Sequence, residues 1–71
     1  MSHEIQAEMV ANVWKVLVSE GDAIQEGDTI CILESMKMEI PVEATVAGVV
    51  AAVRVGPGGT VQEGDVIAVI D

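Results

Sequence analysis

An all-β fold, in which two similar halves close on each other as a β-sandwich or flattened barrel, is what this sequence predicts. Three observations point to it. The apolar residues are Val, Ile, Ala, Leu and Met, Trp14 is the sole aromatic, and there are seven glycines; that mixture favours short strands and tight turns over a helix bundle. The chain repeats itself once. No segment keeps a helical period long enough to compete.

The repeat sets the strands in order. "ANVWKVLVSEGDAIQEGDTICILE" (11–34) aligns with "GVVAAVRVGPGGTVQEGDVIAVID" (48–71) at an offset of 37 residues. Val13, Val16, Val18, Gly21, Gln25, Glu26, Gly27, Asp28 and Ile30 meet identical residues at Val50, Val53, Val55, Gly58, Gln62, Glu63, Gly64, Asp65 and Ile67. Each copy reads strand, Gly-containing turn, short apolar step, Gly-Asp turn, strand. Val16 and Val18, like Val53 and Val55, alternate as one face of a strand does. Gly27-Asp28 and Gly64-Asp65 suit turns, because Gly accepts positive φ and Asp bonds its own backbone. Two copies cannot build a solenoid, since each has one neighbour only. They can face each other about a pseudo-twofold axis.

Length and charge narrow the function classes. Seventy-one residues make one small domain (1–71) with a marginal core. Three basic against twelve acidic residues, a net charge of −9, argue against nucleic acid and anionic membranes, whose phosphates need clustered Lys and Arg. The charge favours a soluble monomer. Cys31 has no second cysteine for a disulfide, and Ile30 and Ile32 beside it mark it as a small buried residue and not a nucleophile. His3 stands alone, without ligands spaced for a metal. With no charged-then-apolar leader and no long apolar span, a cytoplasmic chain is expected.

Between the copies lies "ILESMKMEIP" (32–41), with Lys37, one of only two lysines, at its centre. "TICILES" (29–35) and "MEIPVEA" (38–44) read as strands joined by a tight Met36-Lys37 turn. Two-residue hairpin turns favour Asn-Gly or Asp-Gly, so Met-Lys costs about 1 kcal/mol or more in backbone strain. The alternative is a longer, looser loop with a solvated lysine. A turn centred there sets Glu34 opposite Glu39, like charges that fit best in solvent or against a partner, and Leu33 opposite Ile40. Pro41 cannot donate to a ladder and argues for an edge strand. Ile30 and Ile32 alternate with Cys31 and Leu33, which leaves the inner face open. Adding the offset to Lys37 runs past Asp71, so the turn should project opposite the chain ends. A charged amine there is a poor nucleophile on its own. It fits an acceptor, acylated by another enzyme, with Met36 and Met38 as an adaptable surface for partners.

At these residues the chain resembles the biotinyl/lipoyl attachment domain family, in its biotin carboxyl carrier branch. Glu34-Ser35-Met36-Lys37-Met38-Glu39 looks like the biotinylation signature, and the likeness runs through both "V…G-D…G-D" repeats and Ala47-Gly48-Val49-Val50. The resemblance implies a flattened barrel of two four-stranded antiparallel sheets, with no catalytic residue of its own. It implies biotin joined to Lys37 by a biotin protein ligase, with Met36 and Met38 as flanking recognition residues and Glu34 as a ligase contact. Biotin would then take carboxylate from a biotin carboxylase and deliver it to a carboxyltransferase through transient encounters. A lipoyl carrier, a dual acceptor of biotin and lipoate, or an unmodified interaction module are the alternatives.

Three departures accompany the likeness. Ala11 in "EMVAN" (8–12) stands where Gly is usual, which puts a local turn in question. No insertion follows Val18 to build the protruding thumb of some relatives. Trp14 occupies the place of Ala51 in the other copy and is expected to pack, with a docking platform as the alternative.

Overall fold

The computed structural model describes residues 2–71 and consists of strands and turns, without a helix among the described residues. The strands are β1 (His3–Gln6), β2 (Ala11–Val16), β3 (Ala23–Ile24), β4 (Thr29–Ser35), β5 (Met38–Glu43), β6 (Gly48–Val53), β7 (Thr60–Val61) and β8 (Val66–Ile70). They form two four-stranded antiparallel sheets, ordered β1-β8-β6-β3 and β5-β4-β2-β7. Shifting by one repeat carries β5, β4, β2 and β7 onto β1, β8, β6 and β3, so the sheets are related by a pseudo-twofold axis. The repeat is wider than its identities indicate. β1, outside the aligned copies, is the twin of β5.

The axis is visible in individual hydrogen bonds. The Gly21 N–H donates to the Val50 carbonyl at 2.8 Å, and the Gly58 N–H donates to the Val13 carbonyl at 2.9 Å. Gly27 and Gly64 donate in the same way to Ala44 and Ala7. Each such bond extends a pairing within one sheet, from the turn before β3, β7, β4 or β8 to the strand beside it or the residue that follows that strand. The Gly-Asp turns behave as their chemistry requires. Gly27 and Gly64 hold φ of 94° and 91°, a region where a Cβ is strained. The Asp28 and Asp65 carboxylates accept from the Gln25 and Gln62 N–H at 2.8 and 2.9 Å, closing both turns.

Bulges decide which side chains point inward. Between β4 and β5 the register slips from Thr29–Glu43 to Cys31–Val42, and between β1 and β8 it slips over Ile67 in the same way. A bulge puts two neighbouring residues against one partner, so both can face one side. Ile30 with Cys31, and Ile67 with Ala68, are accordingly all buried at 0% exposure. This resolves the mixed alternation along 30–33: the inner face takes Ile30, Cys31 and Leu33. Each half thereby adds one residue to a core that 71 residues would otherwise fill poorly. The remaining fully buried side chains are Leu33, Ile70, Val50 and Val61, and no polar or charged side chain is buried among the described residues.

A second pair of bulges faces outward. β2 pairs Val13 with Leu33 and then Lys15 with Ile32, which leaves Trp14 as the extra residue. β6 skips Ala51 identically. Ala11 needs no turn: it opens β2, pairs with Val61 and is buried.

Candidate functional site

The β4–β5 hairpin is the longest ladder in the molecule and is regular from Cys31 to its tip. Leu33 pairs with Ile40, Glu34 with Glu39 and Ser35 with Met38, as the turn position predicts. Only Met36 and Lys37 remain to reverse the chain. Their φ values are 54° and 64°, so both residues adopt the left-handed region that a type I′ turn demands. That turn matches the right-handed twist of the flanking strands. The cost lies in the side chains, since neither residue is Gly, Asn or Asp. They are the only residues other than glycine with positive φ among those described.

The strain holds the tip out in water. Lys37 is exposed, and Met36 and Met38 are 91% and 63% exposed. An apolar side chain so free of contacts does nothing for the core, and two of them flank the one amine. Glu34 lies elsewhere. It points outward one rung below the last pair, in a row with Asn12 on one side and Glu39 on the other. Neither neighbour is a cation, so the two carboxylates face each other across the strands and are tolerable only in solvent. Pro41 sits on β5, an edge strand, where its missing N–H costs no ladder bond.

Lys37 and the two methionines thus share the tip, while Glu34 shares the sheet face beneath it. The pseudo-twofold carries this hairpin onto β8 and β1, where His3 lies opposite Ile70 just as Ile40 lies opposite Leu33. The second half meets its own chain ends where the first half carries Lys37.

Other titratable groups stand apart. Cys31 is fully buried, and desolvation raises its thiol above its ordinary range, so it is a weak nucleophile. The His3 Nε2 lies 2.9 Å from the Thr45 Oγ1 on the exposed surface. A concavity of about 670 Å³ runs between the edge strands β1 and β5; Ile5, Leu33 and Val42 line it, with Glu4, Glu8 and Glu63. None of Glu34, Met36, Lys37 or Met38 lines it. The tip is therefore separate from the concavity.

Trp14 departs from expectation. It does not pack into the core but stands 46% exposed, with the Lys15 Nζ 4.6 Å from its ring centroid. Neighbours in a regular strand point to opposite faces, and only the bulge lets these two stack. The contrast of Trp14 with Ala51 already raises a docking platform as the alternative, and the matching contrast of Lys15 with Ala52 strengthens it.

Comparison with known proteins places the chain. A family model described as "Biotin-requiring enzyme" matches residues 2–70. The "Biotinylated protein TB7.3 homolog" of Mycobacterium leprae is 58% identical over 53 residues, 75% of each chain. The "Biotin/lipoyl attachment protein" of Bacillus subtilis is 49% identical over 49 residues, covering 69% of this chain and 67% of that one. Among solved structures, the urea carboxylase of Kluyveromyces lactis contains a region that superposes on the whole chain with a TM-score of 0.93 and 34% identity. This chain corresponds to 6% of that enzyme's length. Matched by the family model over nearly its whole length, and sharing its fold with a region of a urea carboxylase, the chain belongs to the biotin attachment family, whose members serve as carriers and not as catalysts.

Proposed function

We propose that Lys37 is the acceptor for covalent biotin and that the chain then carries carboxylate from a biotin carboxylase to a carboxyltransferase. The observation that carries this reading is the strained Met36-Lys37 turn, which holds one amine exposed between two exposed methionines. Fold alone would not fix the function. A ligase supplies the activated acyl group and the base. With the activated group a biotinyl-adenylate, the base takes one proton from the Lys37 ammonium and the free Nζ attacks the acyl carbonyl. The acyl C–O bond to phosphate breaks with AMP as the leaving group, and the nitrogen loses a second proton as the amide forms. When attached, biotin supplies a ureido nitrogen that carries carboxylate. This chain supplies a rigid footing, an amine free of intramolecular contacts, and a methionine surface that distinct partners can grip. Encounters with those partners are small and short-lived, as one carrier visiting several sites requires.

Coexpression with a biotin ligase followed by intact-mass spectrometry tests the assignment. The mass should rise by one biotin, fail to rise in Lys37→Ala, and rise normally in Lys15→Ala. Modification that survives Lys37→Ala would sink it. The printed name of the Bacillus subtilis relative, a biotin/lipoyl attachment protein, favours lipoate as a second acyl group for the same amine. The same measurement with a lipoate ligase decides between one acyl group and two.

A further inference from the structure

The duplication provides an internal control. Both halves must satisfy the same backbone, and at the outward bulge the second half does so with Ala51 and Ala52. The first half puts Trp14 and Lys15 there. The fold does not need an aromatic ring at this point. A large side chain left 46% exposed where alanine suffices marks a contact surface.

The surroundings specify the contact. Trp14 and Lys15 lie level with Ile32 and Pro41, and the row nearer the hairpin is Asn12, Glu34 and Glu39. Along β5, Glu39, Pro41 and Glu43 are all exposed. The face is thus one aromatic ring beside three carboxylates. Its ring already accepts a cation, the Lys15 ammonium at 4.6 Å. With a net charge of −9, a second copy of the chain would be repelled.

We propose that the outer face of β2, β4 and β5 docks a partner protein through an arginine-bearing patch, with Trp14 as its anchor and Glu34, Glu39 and Glu43 as carboxylate partners. Guanidinium suits this face better than ammonium. It is planar and weakly hydrated, so it stacks on the ring while its N–H groups reach a carboxylate in pairs. A partner seated here lies directly below the hairpin, with its reacting site beside Lys37. That last point rests on the carrier reading; the surface itself does not.

The test is a titration of the unmodified chain, at low salt, with tri-arginine amide, followed by amide chemical shifts and Trp14 fluorescence. Triglutamate is the control. Shifts should concentrate at residues 12–15, 32–34 and 39, and weaken with added salt. Trp14→Ala should weaken binding about five-fold and Trp14→Phe less, as expected for a cation on an aromatic face. The double variant Glu34→Gln, Glu39→Gln should weaken it as well, and this variant holds the test open if Trp14→Ala misfolds. Shifts centred on Glu4, Glu8 and Glu63, shifts spread evenly over the acidic surface, or unchanged binding by both variants would overturn the proposal. Lys37→Ala should bind tri-arginine at least as well as the parent. Biotin uptake by mass in the same samples bears on the carrier reading alone, so the two can fail separately.

Discussion

The two halves of this molecule share a backbone and divide its tasks. Where they agree, they agree on folding: Ile30 and Ile67 fill the doubled positions of the inner bulges, and Asp28 and Asp65 close the same turn. Where they differ, the first half holds the exposed lysine turn and the exposed tryptophan. The Met36-Lys37 turn joins β4 to β5, while their twins β8 and β1 come from opposite ends of the described residues and pair without such a turn. Trp14 and Lys15 face Ala51 and Ala52, and Glu34 faces Asp71. A residue that its own twin shows to be unnecessary for the fold is free to serve a partner. One chain thus separates structural from functional demand without any other sequence.

The most forceful way to break this comparison is in the core. Ile30→Ala and Ile67→Ala each remove a fully buried side chain and should each cost about 2–5 kcal/mol, read by urea denaturation. The two losses should agree within about 1 kcal/mol. A large disparity would mean that the halves are not energetically equivalent. Next comes a place where they already differ. A Cβ on Gly48 would run into the Asp71 carbonyl and the Ile70 Cγ2, whereas its twin Ala11 is accommodated in the core. Gly48→Ala should therefore cost about 1–3 kcal/mol, and Ala11→Gly about 1 kcal/mol or less. Equal costs would count against an asymmetric packing of the two sites.

The hairpin yields a gain where the core yields losses. Replacing Met36-Lys37 with Asn-Gly puts residues suited to positive φ into a type I′ turn and should stabilise the chain by about 1–2 kcal/mol, seen as a higher Tm. The same variant should take up no biotin. If it is no more stable than the parent, the turn carries no strain and its composition says nothing about function. The smallest effect belongs to Cys31, whose twin is Ala68, buried alike. Cys31→Ala should cost about 1 kcal/mol or less at neutral pH. Burial raises the folded thiol above its unfolded value. Its contribution is therefore complete below the unfolded value, about 8.5, and is lost as pH rises through the folded one. Comparing Tm at neutral pH and at about pH 10 should show a shallower alkaline decline in the variant.

Much of this was legible in the sequence because it depends on local chemistry. A Gly-Asp step is a turn wherever it falls, and a two-residue turn fixes every pair beneath it. Leu33 against Ile40, Glu34 against Glu39 and Pro41 on an edge therefore follow from one placement. The bulges were not legible. Their position depends on how the sheets pack, and one extra residue reverses the parity of all that follows. That is why Trp14 was expected inside and is found outside, and why the inner face of β4 stayed open. β1 escaped notice for another reason. It shares the backbone of β5 but none of its side chains (His3 to Gln6 against Ile40 to Glu43), and identity cannot show a likeness that only hydrogen bonds preserve.

The pairing of β8 with β1, His3 opposite Ile70, has an engineering consequence. A short reverse turn spliced between Asp71 and Ser2 would close the polypeptide into a ring without disturbing any strand. Such a ring would offer two equivalent prows, and a Met-Lys pair grafted at the new one would give a carrier with two arms on a single body.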